Sequence, residues 1–87
     1  MKFRKIGSNM QELLVEPTEG SIHGLCILFS YETPVAGWDK HGAFKTEKKF
    51  SATTTRHINK YLELAADGAR TVTQEWITEQ VAKAKFS

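Results

Sequence analysis

The residues of this chain that could do covalent or metal chemistry are few. Cys26 and the three histidines, His23, His41 and His57, are the available nucleophile, bases and borderline ligands. A thiol beside an imidazole makes a covalent catalyst only when the thiolate forms readily. Cys26 lies in the most apolar run of the sequence, His23 to Tyr31, where a thiol's pKa rises and its reactivity falls. A metal centre needs three or four converging ligands, and the spacing of these four residues matches no ligand pattern. No Ser–His–acid set stands out and no glycine-rich loop opens a helix. The carboxylates are scattered, with Glu12, Glu16 and Glu19 reading as a solvated edge. The expectation is a non-enzymatic protein: no catalytic residue, no cofactor and no metal site.

A different chemistry is offered by Lys45 to Leu64, KTEKKFSATTTRHINKYLEL. Residues 40–60 carry six Lys and Arg against Glu47 alone, a local charge of +5 that leaves −3 on the rest of a chain whose net charge is +2. Lys45, Lys48, Lys49, Arg56 and Lys60 are expected to form one basic surface. Thr53 and Thr54, with the N–H groups of a helix start, add uncharged donors, and such a set suits phosphate. His57 joins it as a contact residue, or is a half-buried ring bonded to a backbone carbonyl or a threonine. The competing reading is that solvated lysines simply keep a small domain soluble.

The elements that position these residues follow from periodicity. At 87 residues, with 40% hydrophobic and 25% charged side chains, the chain is expected to form one domain over 1–87 with a modest core. Residues 2–6 and 10–16 read as two strands, or a strand and an arm, around Gly7-Ser8-Asn9. In His23 to Tyr31, Leu25, Ile27, Phe29 and Tyr31 alternate on one face with Cys26 and Leu28 on the other, so this is a central strand. Pro34 interrupts the ladder, so Val35 to Trp38 lies at an edge or carries a bulge. Asp39-Lys40-His41-Gly42 reads as a hairpin turn and Ala43 to Phe50 as the return strand. Ser51 is a candidate N-cap of the central helix, with Thr53, Thr54 or Thr55, poor helix formers, as the alternative start. Ile58, Tyr61, Leu62 and Ala65 form its apolar stripe, and Ala66-Asp67-Gly68 closes it. Arg70-Thr71-Val72 adds a short extended piece. Thr73 caps a last helix, Gln74 to about Lys85, or a Thr71–Gln74 capping box starts it two residues sooner; Trp76, Ile77, Val81 and Ala84 lie on its apolar side, with Glu79–Lys83 as an i, i+4 pair. Strands first and helices last predict an α+β fold: an antiparallel sheet of three to five strands followed by two C-terminal helices packed on one face.

No apolar run approaches the roughly 20 residues of a membrane helix, and MKFRKIGSNM lacks the apolar stretch of a secretory signal. A lone cysteine forms no internal disulfide and suits a reducing, cytoplasmic setting. Self-association would help stabilise a domain of this size.

Two stretches carry a resemblance, Ser30-Tyr31-Glu32-Thr33-Pro34-Val35-Ala36 and Lys45 to Leu62. They resemble a family of small uncharacterised proteins from phages and prophage-bearing bacteria. Its members share an SY-x-TPVA strand, a T-x-K-x-aromatic-S-x-TT segment and an RHIN-x-aromatic-L helix start. The resemblance covers about residues 29–63. It implies a mobile-element origin and a small α+β fold, and it transfers no catalytic residue. Two functions are therefore expected to compete. One is a phage-type accessory protein that binds nucleic acid through the basic strand end and helix. The other is a protein-binding inhibitor of a host defence or host enzyme complex, of the anti-CRISPR or anti-restriction kind. Tyr31, Trp38 or Trp76 would then serve as anchors.

Overall fold

Alternation of side chains across extended segments builds the sheet. The computed structural model describes residues 2–15, 24–63 and 68–86, without the side chains of 84–86. The strands are β1 (Lys2–Gly7), β2 (Met10–Val15), β3 (Leu25–Ser30), β4 (Thr33–Asp39), β5 (Gly42–Thr46) and β6 (Arg70–Val72). The helices are α1 (Ala52–Tyr61) and α2 (Gln74–Phe86). The six strands lie side by side in chain order. The first five pair antiparallel, and β6 joins parallel to β5 after the α1 crossover. The fold is α+β, as the order of elements predicts, but the sheet has more strands than expected. Both N-terminal segments pair, and the short Arg70–Val72 segment finds the open side of β5 through Phe44↔Arg70 and Thr46↔Val72.

The register sorts the side chains onto two faces. Leu28 opposes Glu12 and Ala36, while Ile27 opposes Leu13 and Gly37. On the first face, Met10, Leu28, Val35, Ala36 and Ala43 pack with Leu62, against Ile58 and Tyr61 of α1. On the second, Leu13, Ile27 and Phe44 pack with Ile77 and Val81, against Trp76 of α2. The helices therefore cover opposite faces, not one face as expected. The physical reason lies in β3: its apolar residues alternate onto both sides, so one layer of helices would leave half of them in water. Each large aliphatic side chain so buried contributes about 1.5–3 kcal/mol.

Pro34 sits in an inner strand. It is accommodated by an irregularity in the β3–β4 register between Leu28 and Phe29, where Phe29 opposes Pro34. Beyond it, β3 and β4 approach closely at Gly37. A Cβ there would meet the Cys26 carbonyl oxygen and come within 2.6 Å of Phe44 Cζ.

The β3–β4 turn departs from expectation. Ser30 pairs with Thr33, so Tyr31 and Glu32 are the two turn residues and Tyr31 is not in the strand. Both have positive φ, 49° and 71°, the pattern of a type I′ hairpin, which favours Asn and Gly. Tyr31 N–H donates to the Asn9 carbonyl (3.0 Å), tying this turn to the neighbouring β1–β2 turn, where Asn9 has φ 59°.

β5 ends at Thr46, before the expected Phe50. Glu47 N–H still donates to the Val72 carbonyl (2.8 Å), and Thr46 Oγ1 then accepts the Lys48 N–H (3.1 Å), which turns the chain out of the sheet. Ser51 caps α1 as expected: its backbone is extended and its Oγ accepts the Thr54 N–H (3.2 Å). α1 ends at Tyr61, with Leu62 N–H bonded to the Ile58 carbonyl (2.9 Å), short of the expected Ala66-Asp67-Gly68. Thr73 Oγ1 accepts the Trp76 N–H (3.1 Å) at the start of α2. The expectations for His23, Glu16, Glu19, Ala65, Ala66 and Asp67 fall outside the described residues.

Candidate functional site

The end of β5, its connection and α1 place the basic residues. Lys45 projects from β5 onto the α1 face, since it pairs with Ala36. Lys48 and Lys49 stand exposed in the connection, with Lys48 Nζ 5.4 Å from the centre of the Phe50 ring. Together with Thr55, Ile58 and Asn59 of α1, these lysines line a surface groove of about 420 Å³, in which Glu47 is the acidic residue.

The helix divides the rest. At about 100° per residue, Thr55 and Asn59 share the groove flank, Thr53, His57 and Lys60 the opposite flank, and Arg56 the crest between them. Arg56 and Lys60 are exposed and Thr53 is half-buried. The expected single surface is thus two flanks joined over the helix crest. Among the described residues the ion pairs are Arg4–Glu12, Arg70–Asp39 and Lys83–Glu79, so the five cations from Lys45 to Lys60 are not drawn into ion pairs.

Thr54 does not join this surface. It is buried, because it lies one turn before Ile58 on the inward stripe. Its hydroxyl belongs to a chain of side-chain hydrogen bonds. Ser51 Oγ donates to Thr54 Oγ1 (3.3 Å), Thr54 Oγ1 lies 3.1 Å from Ser30 Oγ, and Ser30 Oγ lies 2.7 Å from His57 Nδ1. One order of donors runs from Ser51 through Thr54 and Ser30 to His57 Nδ1, which corresponds to the Nε2–H tautomer. His57 is thus a half-buried ring bonded to a hydroxyl, but the hydroxyl is that of Ser30, 27 residues earlier, and not of a neighbouring threonine. Ser30 itself is 1% exposed, which shields its oxygen from any substrate. On its other side His57 meets the Tyr31 ring, centroids 5.7 Å apart and tilted by 32°.

A second polar cluster lies toward the C-terminal end of α1. Glu12, expected at a solvated edge, is buried because it shares the inward register with Met10. It accepts hydrogen bonds from Arg4 Nη2 (2.5 Å) and from the Tyr61 hydroxyl. Burial, and then the bond to Glu12 and its charge, push the Tyr61 hydroxyl far above the ordinary phenol range. Burial, followed by the charge of Glu12, also pushes the Cys26 thiol up, which keeps it a thiol near neutral pH. Among the described residues no three of His, Cys, Asp and Glu converge as metal ligands, and no helix is long and apolar enough to cross a membrane.

A family model matches residues 1–79. The chain belongs to the family of unknown function DUF8033. No curated protein matches it, and no solved structure does. The matched span of this DUF8033 chain takes in all six strands, α1 and the first half of α2, so the basic groove and the Ser30–His57 network both lie within the family's domain. The residues that sequence patterns missed are Ser30 and Tyr61's partner Glu12, together with the turn that carries Tyr31, a residue expected as an anchor in a strand. Glu12 carries a usable signal, an acid at a position whose alternation points inward. Ser30 and Tyr31 carry none, since their roles depend on which turn the strand makes.

Proposed function

We propose that this DUF8033 protein is a non-enzymatic accessory protein that binds the phosphate backbone of nucleic acid. The contact surface is the groove of Lys45, Lys48 and Lys49 together with Arg56 on the crest of α1 and Lys60, Thr53 and His57 beyond it. One observation carries the reading: these five cations gather around one helix without an ion pair to any of the described residues. Cations left to solvent around a groove exchange their counterions for phosphates, so affinity falls steeply as salt rises. The resemblance to phage and prophage proteins supports a mobile-element origin and action in the host cytoplasm.

The test is a titration of duplex and single-stranded DNA at two salt concentrations. Binding is expected to weaken with salt, with a log–log slope near −0.9 per phosphate contact on duplex and −0.7 on single strands. The double reversal Lys48→Glu, Lys49→Glu should abolish it. An absence of binding at low salt ends the reading.

A second reading, an inhibitor docked on a host protein complex, is favoured by β1. Among the described residues this edge strand pairs on one side only, with Phe3 at 47% and Ile6 at 36% exposed. Such an edge can accept a strand from a partner. Recovery of one stoichiometric, nuclease-insensitive partner that is lost on Ile6→Pro would favour it over nucleic acid.

A further inference from the structure

Tyr31 combines three features. First, it takes the left-handed conformation of the type I′ turn without being Asn, Asp or Gly, which a bulky side chain does at a cost. Second, the conformation redirects the ring. In strand geometry Tyr31 would follow Ile27 and Phe29 onto the α2 face; the turn instead delivers the ring to His57 on the α1 side. Third, the residue stays 51% exposed there. It is backed by an imidazole whose own orientation is fixed by Ser30, so it is a supported platform with an open side.

The platform's location gives its use. It lies on the flank of α1 that carries Thr53, His57 and Lys60, while Lys45, Lys48 and Lys49 line the other flank and Arg56 tops the helix. A strand that lays phosphates along the lysine groove and over Arg56 meets Tyr31 after crossing one helix, about 10–12 Å wide with its side chains. Cations tracking a backbone with an exposed ring at the end of the track are the two parts of a single-strand binding site, because every unpaired base offers a flat face to stack. A duplex keeps its bases stacked inside and cannot use the ring.

We infer that Tyr31 is a stacking site for an unpaired base, and that the ligand class of the basic surface is single-stranded nucleic acid. The inference rests on the phosphate-binding reading and deepens it. Tyr31 supplies base contact without sequence choice, His57 sets the ring's tilt, and the cations supply backbone affinity.

Three probes of equal length test it by fluorescence anisotropy at low salt: an oligo(dT) strand, the same strand with its bases removed, and a duplex. Each is titrated with the wild-type protein, Tyr31→Phe and Tyr31→Ala. Oligo(dT) is expected to bind about tenfold tighter than the abasic strand. Tyr31→Ala should erase that difference while leaving abasic binding unchanged, which also shows that the variant is folded, and Tyr31→Phe should keep it. Equal wild-type affinity for oligo(dT) and the abasic strand overturns the inference and leaves the phosphate-binding reading standing. So does Tyr31→Ala binding oligo(dT) as wild type does. Failure of all three probes to bind wild-type protein overturns both, and Tyr31-dependent capture of a protein in that case would assign the ring to a protein partner.

Discussion

The two faces of the sheet are built from different materials. Under α2 the contacts are mainly apolar and aromatic: Leu13, Ile27, Phe44, Ile77 and Val81, with the Phe44 and Trp76 rings edge to face at 5.0 Å and one side-chain hydrogen bond from Gln74 Nε2 to the Pro34 carbonyl (2.7 Å). Arg70 spans that pair, 5.8 Å from each ring, while its guanidinium meets Asp39 at 2.6 Å. Under α1 the apolar cluster is broken by two polar systems, Ser51–Thr54–Ser30–His57 at one end and Arg4–Glu12–Tyr61 at the other. Apolar contacts are tolerant of direction, whereas hydrogen bonds fix orientation. The difference implies a division of labour: the α2 face is held mainly by packing, and the α1 face adds to its packing the holding of particular side chains at particular angles.

The comparison can be broken most severely at Phe44. Phe44→Ala opens a cavity under α2 and strips the support of Trp76 and Arg70, so a loss of about 3–5 kcal/mol is expected in a urea melt. A loss under 1 kcal/mol would mean that packing around Phe44 does not hold the α2 face. On the other face, Ser30→Ala leaves His57 Nδ1 and Thr54 Oγ1 without their shared partner, at a cost of about 1–3 kcal/mol. Its sharper readout is the His57 ring, whose NMR signals should lose their single orientation.

Tyr61→Phe tests the second polar system and gives a smaller effect at neutral pH, about 1 kcal/mol. Its signature lies in alkali. The folded hydroxyl titrates above the ordinary value of 10.0, so its contribution is complete below about pH 10. Above that the unfolded chain loses its proton first, and stability falls as pH rises toward the folded pKa. Tyr61→Phe should flatten that decline. Cys26, raised from 9.0, has the same sign, and Cys26→Ala should remove the part that begins near pH 9. The smallest expected change is a gain. Glu32→Gly relieves one left-handed residue and should raise stability by roughly 0.5–1 kcal/mol. If it does, the β3–β4 turn carries strain that folding alone does not call for.

How much of this was legible in the sequence depended on the range of the interaction. Alternation placed Leu25, Ile27 and Phe29 opposite Cys26 and Leu28 correctly, and local hydroxyls marked Ser51 and Thr73 as caps. The two-sided pattern of β3 already contained the need for a helix on each face, though the order of elements pointed to one. Thr54 was expected at the basic surface and is buried, although its place one turn before Ile58 on the same stripe pointed inward. Tyr31-Glu32 was not legible, because a type I′ turn is normally announced by Asn or Gly and neither is there. The pairing of Ser30 with His57 and of Glu12 with Tyr61 joins residues far apart in the chain, and no local pattern encodes it. The basic segment was visible as charge, but its division into two flanks and a crest required the axis of α1.

Gly37 gives a means of separating folding from function in any mutational survey. Every side chain at that position collides with the Cys26 backbone and the Phe44 ring, so a library scored for any property at all should return glycine alone there. That empty column marks the floor of the assay. A substitution at Lys48, Arg56 or Tyr31 that sinks to the same floor under selection for binding, yet survives selection for abundance, acts at the surface and not through collapse of the protein.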